Sequence, residues 1–201
     1  LALWGPLVGA LEDAADVAAE DAERAALLFR AGEILEKHQD DLEEAMRCYV
    51  RAFQTQPAEG RYLAAGERVY RRRGEWRMVD RLLGLQVRVA GEAGLRRRLL
   101  EEQARVRHRQ LGDALGAYEA LRAALAQGGA DITRRVLRDL VCDDAAFDLI
   151  EEGLRRRARE EGGATAARLY LEVAALQIDV RGKPVDGAAA LQAALHDLMD
   201  A

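Results

Sequence analysis

Apolar residues recur along the chain at the spacing of three and four residues that is typical of an amphipathic helix. In residues 42–55, for example, Leu42, Ala45, Tyr49 and Ala52 fall on one helical face. Segments of this kind are separated by Gly, Pro or Asp, which favour the ends of helices. The pattern predicts an all-α chain of eleven helices, at residues 4–19, 21–38, 42–55, 60–73, 75–90, 95–111, 113–126, 132–141, 147–161, 164–181 and 185–199.

The predicted helices repeat along the chain. Trp4 recurs as Trp76, 72 residues later, and residues 4–56 align without gaps on residues 76–128. A third, weaker copy starts at Phe147. Its residues at the positions that match the first copy are Ile150, Leu154, Leu171, Ala175, Ala188 and Leu195. Such a repeat predicts stacked helix hairpins, because a single hairpin cannot bury its apolar face and its neighbours complete the core.

A hairpin of about 34 residues resembles the tetratricopeptide repeat. The residues that carry the resemblance are Leu28, Ala31, Gly32 and Leu35 in the first helix, Ala45, Tyr49 and Ala52 in the second helix, and the closing Pro57. The segment departs from that family by one extra residue in the turn after Leu35. The resemblance implies an all-α, right-handed α-solenoid of antiparallel helix hairpins in one domain. Its units would be residues 1–20 (a half repeat), 21–57, 58–91, 92–129, 130–162 and 163–201.

The charge balance bears on the class of partner. The 30 basic residues are outnumbered by 35 acidic residues, for a net charge of −5. A nucleic-acid-binding protein usually has a basic excess, so we expect no nucleic-acid partner. No apolar run approaches the ~20 residues that span a bilayer, so we expect no membrane insertion.

Cysteine usage and the start of the chain bear on its location. Cys48 and Cys142 form neither a disulfide framework nor a CxxC pair, which suits a reducing compartment. We expect a cytoplasmic protein, and the preference for Arg over Lys favours a bacterial source with a GC-rich genome. A periplasmic location stays open, because the chain starts at Leu1 and looks like a piece of a longer protein.

The first predicted helix starts in the middle of a repeat. Trp4, Leu7 and Leu11 belong to a second helix whose first-helix partner is absent, whereas a terminal repeat usually has a polar outer face. We expect this uncapped end either to be covered by further sequence or to pair with another copy of the chain. Self-association through the N-terminal end is therefore one of two predictions.

The sequence contains no recognisable catalytic constellation. His38, His108 and His196 are far apart, and none has a carboxylate or Cys at metal-ligand spacing on its own helix face. Cys48 lies inside a predicted helix, where it is expected to pack as a small side chain. We expect neither enzymatic activity nor a metal or other cofactor.

In the family that the chain resembles, first helices line a concave groove that holds peptides. The resemblance implies that the partner-binding residues are Phe29, Glu33, Lys37, Leu63, Glu67, Tyr70, Arg71, Arg105, His108, Arg109, Arg134 and Arg138. A register error of one residue would place Arg30, Arg61, Arg68 and Arg72 there instead. Both sets are rich in Arg, whose guanidinium forks onto carboxylates. We interpret the groove as a site for an acidic or mixed peptide; a purely solubilising role for these residues stays open.

The predicted function is a protein–protein interaction scaffold without catalysis, which binds a partner peptide or domain through the groove. The alternative is a regulatory module of a larger signalling protein, whose repeats sense a ligand or partner. The domains that flank the chain would distinguish the two.

Overall fold

The structure of the protein is a computed structural model that describes residues 3–128 and 131–199. These residues form eleven α-helices and contain no β-strand, which confirms the predicted all-α helical-repeat fold. The helices are α1 (Trp4–Val17), α2 (Asp21–Ile34), α3 (Leu42–Thr55), α4 (Gly60–Arg73), α5 (Trp76–Val89), α6 (Ala93–Leu111), α7 (Ala114–Ala126), α8 (Asp131–Cys142), α9 (Asp144–Glu161), α10 (Gly163–Ala175) and α11 (Pro184–Met199). In the predicted repeats, even-numbered helices are the first helices of hairpins, and odd-numbered helices are the second helices. The hairpins α2–α3, α4–α5 and α10–α11 are closely packed.

The helices form two compact units. Unit 1 is Leu1–Val106 and unit 2 is Arg107–Ala201. The largest fully buried side chains include Tyr49 and Tyr62 in unit 1, and Phe147 and Ile150 in unit 2. The predicted repeat boundary at residues 129 and 130 lies outside the described residues, and the division of the chain into repeats stays a prediction.

Aspartate side chains set several helix boundaries. The carboxylates of Asp41, Asp113 and Asp143 accept the backbone N–H three residues later at 3.1, 2.8 and 2.8 Å. They cap the starts of α3, α7 and α9. For this reason α9 starts at Asp144 rather than at Phe147, the start that the apolar pattern predicts. The predicted bounds of α3 and α4 are confirmed to the residue.

Two first helices end in a π-helical turn, which absorbs one extra residue. α2 continues as the π-helix Leu35–Gln39, and α10 continues as the π-helix Leu176–Val180. The turn at the end of α2 accounts for the extra residue that the sequence shows after Leu35. Asp40, at φ 55°, then directs the chain towards α3.

The same backbone hydrogen bond closes the turn between first and second helix in all three copies of the repeat. In each copy, an N–H before the second helix donates to the carbonyl oxygen six residues earlier. The three bonds run from Asp41 to Leu35 (3.1 Å), from Asp113 to Arg107 (2.9 Å) and from Lys183 to Gln177 (2.9 Å). Asp41 and Lys183 are 142 residues apart, one fewer than Trp4 and Phe147. The third turn therefore comes one residue earlier than the predicted alignment requires.

This shift shows that the predicted alignment of the third copy is wrong in α10 and α11. The positions predicted to match buried residues are exposed: Leu171, Ala175, Ala188 and Leu195. The buried residues are instead their neighbours, such as Ala174 and Ala194. The apolar pattern alone does not show the shift, because both helices are rich in Ala on several faces.

The predicted register holds in α9, where Ile150 and Leu154 are buried. The shift therefore arises between α9 and α10. These helices are joined by the single residue Gly162, at φ 66°, whereas three residues join α1 to α2. A positive φ of this kind favours glycine, which has no Cβ to clash with the backbone.

Gly32 allows α2 and α3 to approach closely. A Cβ atom at this position would lie 2.6 Å from Tyr49 Cε1 and 3.2 Å from the carbonyl oxygen of Ala45. Real Cβ atoms do not approach an aromatic carbon to that distance. Gly9, in the interior of α1, has no such neighbour within 4 Å.

We predict opposite effects for alanine at these two glycines. Gly32→Ala should lower the free energy of unfolding of unit 1 by about 1–3 kcal/mol, because the added methyl group overpacks the contact with Tyr49. Gly9→Ala should raise it by about 0.5–1 kcal/mol, the ordinary gain for alanine in a helix. Both tryptophans, Trp4 and Trp76, lie in unit 1, so urea unfolding followed by tryptophan fluorescence measures this unit. Equal effects of the two substitutions would contradict the packing role of Gly32.

Candidate partner-binding site

A buried carboxylate joins three helices of unit 1. Glu36 lies in the π turn that follows α2 and is 7% exposed. It accepts a hydrogen bond from the hydroxyl of Tyr49 on α3 at 2.7 Å. The guanidinium of Arg68 on α4 donates to the same carboxylate from Nη2 at 2.9 Å and from Nε at 3.2 Å. The predicted site contains neither Glu36 nor Arg68, and Arg68 belongs only to the alternative register.

Burial alone would raise the pKa of Glu36, but the hydrogen bonds from Arg68 and Tyr49 outweigh it and hold the pKa below its ordinary value. The pKa of Tyr49 is raised, first by burial and then by the adjacent carboxylate. Glu36 is therefore ionised, and Tyr49 protonated, at neutral pH. This arrangement is structural, because the negative charge of Glu36 is neutralised by Arg68 inside unit 1.

Several arginines on the first helices of unit 1, among them Arg71, Arg72 and Arg105, are paired with carboxylates of the same unit. Arg71 Nε donates to Glu67 at 2.6 Å, and Arg71 Nη2 donates to Glu102 at 2.7 Å. Arg105 forms an ion pair with Glu102 as well, and Arg72 donates to Asp40 at 2.5 Å. A partner's carboxylate would have to displace these internal acids, so this face is a weak candidate for an anion site.

The remaining predicted residues of unit 1 divide between the core and the surface. Leu63 is 4% exposed and packs mainly in the core, with a small part of its side chain lining a concavity of unit 1. Phe29 is half-buried, with its ring centroid 5.5 Å from that of Tyr49 and 5.4 Å from that of Tyr62. The exposed Lys37 and the half-buried Glu33 pair with each other at 2.6 Å, and Tyr70 is half-buried.

In unit 2, the predicted residues Arg134 and Arg138 line a cavity of about 460 Å³. The two arginines are one turn apart on α8. The cavity lies between α7, α8 and the π turn after α10. Its apolar lining consists of Leu125, Leu137, Val141, Leu176 and Val180. Its volume is in the range of sites that bind small molecules or short peptide segments.

The other polar groups of this cavity are Arg122 and Tyr118. Arg122 forms an ion pair with Glu172 of α10. Burial first, and then a hydrogen bond with the same carboxylate, raise the pKa of Tyr118, so its hydroxyl stays protonated. Of these side chains, Arg122 and Tyr118 line the cavity, and the charge of Arg122 is neutralised by Glu172.

The two arginines of α8 are the available cations of the cavity. Arg134 pairs with Asp131 at 3.0 Å, but both side chains are largely exposed, and such pairs contribute little. Arg138 is exposed and has no ion-pair or hydrogen-bond partner within residues 3–128 and 131–199. An apolar cavity with cations at its edge can hold an apolar group that is adjacent to a carboxylate. We refer to it as the α8 cavity.

The other predicted groove residues do not join the α8 cavity. His108 and Arg109 are exposed near the end of α6 and are not among the residues that line it. The predicted set is therefore divided: Arg134 and Arg138 meet at the α8 cavity, and Leu63 and Tyr70 line a separate concavity in unit 1. Sequence reasoning missed Arg122 and Tyr118, because both lie on a second helix and the groove was assigned to first helices.

The His and Cys residues are placed as follows. The rings of His38 and Trp4 are stacked, with centroids 4.0 Å apart. Cys48 is buried, and burial together with Glu12 raises the pKa of its thiol to about 11, whereas Cys142 is exposed. Across the described ranges, no cluster of three or more His, Cys, Asp or Glu side chains is arranged to hold a metal ion. Nor is any helix in those ranges long and apolar enough to cross a membrane.

The described residues thus define the chain as an all-α protein built from repeated helix hairpins, with a cationic and apolar cavity in its second unit. No family model matches the sequence, and no curated protein matches it. Among solved structures, the chain is similar to the crystal structure of MamA, with 15% identity and a TM-score of 0.44. The match covers 84% of this chain and 95% of the MamA chain. A likeness this distant carries no conclusion about the fold, the partners or the activity of this protein.

We predict that Glu36→Gln lowers the free energy of unfolding of unit 1 by about 1–3 kcal/mol at neutral pH, because Tyr49 loses a charged acceptor. Arg68 is half-exposed, so its share is small. The folded-state pKa of Glu36 lies below 4.5, so its stabilisation is complete above that pH and is lost as the pH falls through the lower value. The difference between wild type and Glu36→Gln should therefore shrink from pH 7 to about pH 4.

The matched control is Glu43→Gln on α3, because Glu43 is exposed. It should change the free energy of unfolding by less than about 0.5 kcal/mol at both pH values. Urea unfolding followed by tryptophan fluorescence measures the free energy of unfolding of both variants at each pH. A Glu36→Gln difference that stays constant with pH would show that the Glu36 carboxylate is not the source of the stabilisation.

Proposed function

We propose that the chain is a protein-binding scaffold of the tetratricopeptide type, and that the α8 cavity takes an acidic or mixed segment of a partner protein. The observation that carries the proposal is the pairing of an apolar cavity with Arg138, an exposed cation that has no partner among the described residues. The sequence resemblance and the observed helix hairpins support a binding role, because folds of this kind expose extended surfaces.

The chemistry of the cavity favours a segment in which an acidic residue adjoins an apolar one. The apolar side chain would pack on residues such as Leu137 and Val141, and its acidic neighbour would bind Arg138 and Arg134. Arg134 would exchange its exposed pairing with Asp131 for the ligand, at little cost. The net charge of the chain is −5, so attraction for an acidic partner is local to this site and should weaken with salt.

The volume of the cavity also favours a second candidate function, the sensing of a small ligand. About 460 Å³ is large enough to enclose a small carboxylic acid with an apolar body. The two candidate functions differ in how the binding affinity depends on the length of the ligand. A peptide-binding scaffold should gain affinity as a ligand extends beyond the cavity, whereas a ligand sensor should bind the short acid as tightly as the long peptide.

We predict that a peptide of about 12 residues alternating Leu and Asp binds the chain, and that Arg134→Glu combined with Arg138→Glu weakens binding at least about tenfold, a loss of about 1.4 kcal/mol. Acetyl-Leu-Asp should bind more weakly than the long peptide. Fluorescence anisotropy at low and high salt measures these affinities.

The matched control protein is Arg156→Glu, because Arg156 is also an exposed arginine of unit 2 and is absent from the lining of the α8 cavity. The control peptide has Asn in place of Asp. Equal binding of the Leu-Asn peptide, or equal losses for the Arg156 and the Arg134–Arg138 variants, would refute the proposed site.

A further inference from the structure

A second concavity lies on the second-helix side of unit 1. It is an apolar cleft of about 240 Å³ between α3 and α5, with α4 beneath it. Its two walls are formed by residues at the spacing i, i+4 and i+7 of one helical face. These are Met46, Val50 and Phe53 on α3, and Met78, Leu82 and Leu85 on α5. We refer to it as the α3–α5 cleft.

The floor of the cleft depends on Gly66 of α4. A Cβ atom there would lie 3.4 Å from both Leu82 Cδ1 and Met46 Sδ, in ordinary van der Waals contact, so a side chain that extends beyond Cβ would push the two walls apart and fill the cleft from below. Leu63 and Tyr70 flank Gly66 on the same face of α4. The cleft is therefore built by the packing of three helices, and its shape does not depend on a loop.

The walls expose apolar surface that the fold itself does not use. Val50 is 45% exposed, and the other five wall residues are half-buried. Two of the chain's three methionines, Met46 and Met78, lie here. Methionine is flexible and polarisable, and it is frequent at surfaces that adapt to the side chains of a partner.

A row of cations borders the cleft on the α5 side. Arg77, Arg81 and Arg88 are spaced by four and seven residues, so they share one face of α5, next to the face of Met78 and Leu82. All three arginines are exposed, and Arg81 also lines the cleft. None of the three has a hydrogen-bond or ion-pair partner within residues 3–128 and 131–199.

This row contrasts with the neighbouring arginines of unit 1. On α3, Arg51 pairs with Asp16 of α1 at 2.8 Å, and Arg71 and Arg72 on α4 pair with the acids described above. On α3, the exposed acid Glu43 lies in the first turn, three residues before Met46 and seven before Val50. The cleft therefore has an asymmetric border, with its cations on α5.

We propose that the α3–α5 cleft binds one amphipathic, acidic helix of a partner protein. The apolar residues of that helix pack between the two walls, and its carboxylates pair with Arg77, Arg81 and Arg88. The two walls repeat at helical spacing, which matches the i, i+4, i+7 stripe of a docked helix. A helix is about 10 Å across, so only its apolar side chains enter the cleft and its backbone lies above the rim.

The charge of the partner follows from the arginine row. A neutral or basic helix would leave the three guanidinium groups without acceptors, or would place like charges beside them, whereas an acidic helix supplies bidentate acceptors. This surface shares no residue with the α8 cavity, so it is independent of the proposed function.

The test uses a synthetic helical peptide of about 18 residues with Leu at i, i+4 and i+7 and Glu on the flanking positions. The comparison peptide has Lys in place of Glu. In protein labelled at the methionine methyl groups, the NMR signals of Met46 and Met78 should shift on addition of the Glu peptide. Met199 on α11 is exposed and far from the cleft in sequence, and its signal should not shift.

Two variants and two matched controls locate the binding surface. Val50→Asp should weaken binding of the Glu peptide by about tenfold or more, and Arg81→Glu by about fivefold. Val136→Asp is the control for the first, because Val136 is 46% exposed against 45% for Val50. Arg98→Glu on α6 is the control for the second, because Arg98 is an exposed arginine outside the cleft. Neither control should change the affinity.

Circular dichroism and Tm establish that each variant is folded, and Arg81→Glu alters only an exposed side chain, so it tests the proposal even if Val50→Asp is unstable. Binding of the Lys peptide as tightly as the Glu peptide would overturn the proposal. Equal affinities for Arg81→Glu and Arg98→Glu, or a Met199 shift without shifts of Met46 and Met78, would overturn it as well.

Discussion

The contact between the ring of Tyr49 and Gly32 is the constraint on which the packing of unit 1 depends. It brings α3 so close to α2 that even a methyl group at position 32 would not fit. From this position the Tyr49 hydroxyl donates a hydrogen bond to the carboxylate of Glu36. An ionised carboxylate only accepts hydrogen bonds, and a buried one needs more than a single donor. Arg68 of α4 supplies two of them. A single close approach between two helices thus fixes a polar junction among three.

That junction also decides which cations remain for a partner. On the first helices of unit 1, arginines such as Arg68 and Arg71 neutralise the carboxylates that the helices bring together. On the surface of α5, Arg81 forms no ion pair with any acid of the described residues. A chain with a net charge of −5 can therefore present cationic surfaces, because many of its acidic side chains form ion pairs within the hairpins. Net charge describes the whole chain and is a poor guide to any one of its surfaces.

The features that can be predicted from the sequence are those that depend on residues close together in the chain. The bounds of α3 and α4 follow from the residues that end helices beside them, such as Asp41, Pro57 and Gly74. Glu36 was not predictable, because its burial depends on a π turn and on Arg68, which is 32 residues away. Arg134 and Arg138 follow from the helical register, but the cavity beside them needs the π turn that places Leu176 and Val180. Register predicts which face a residue shares, and only packing shows whether that face encloses a cavity.

Both candidate surfaces combine the same two ingredients, an apolar concavity and arginines without strong internal partners, yet one is built mainly on a first helix and the other on second helices. This follows from the construction of helical repeats. Each hairpin buries one row of apolar side chains against the hairpin before it and one against the hairpin after it. Apolar residues at the edges of those rows stay half-exposed where a small residue between them, such as Gly66, leaves a concavity. Where such an edge adjoins arginines, an acidic and apolar partner is the ligand that satisfies both. Specificity would then lie in the spacing of the partner's acidic residues, because they must match the arginines of each surface. These arginines are one turn apart on α8 at the α8 cavity, and they extend along most of the length of α5 at the α3–α5 cleft.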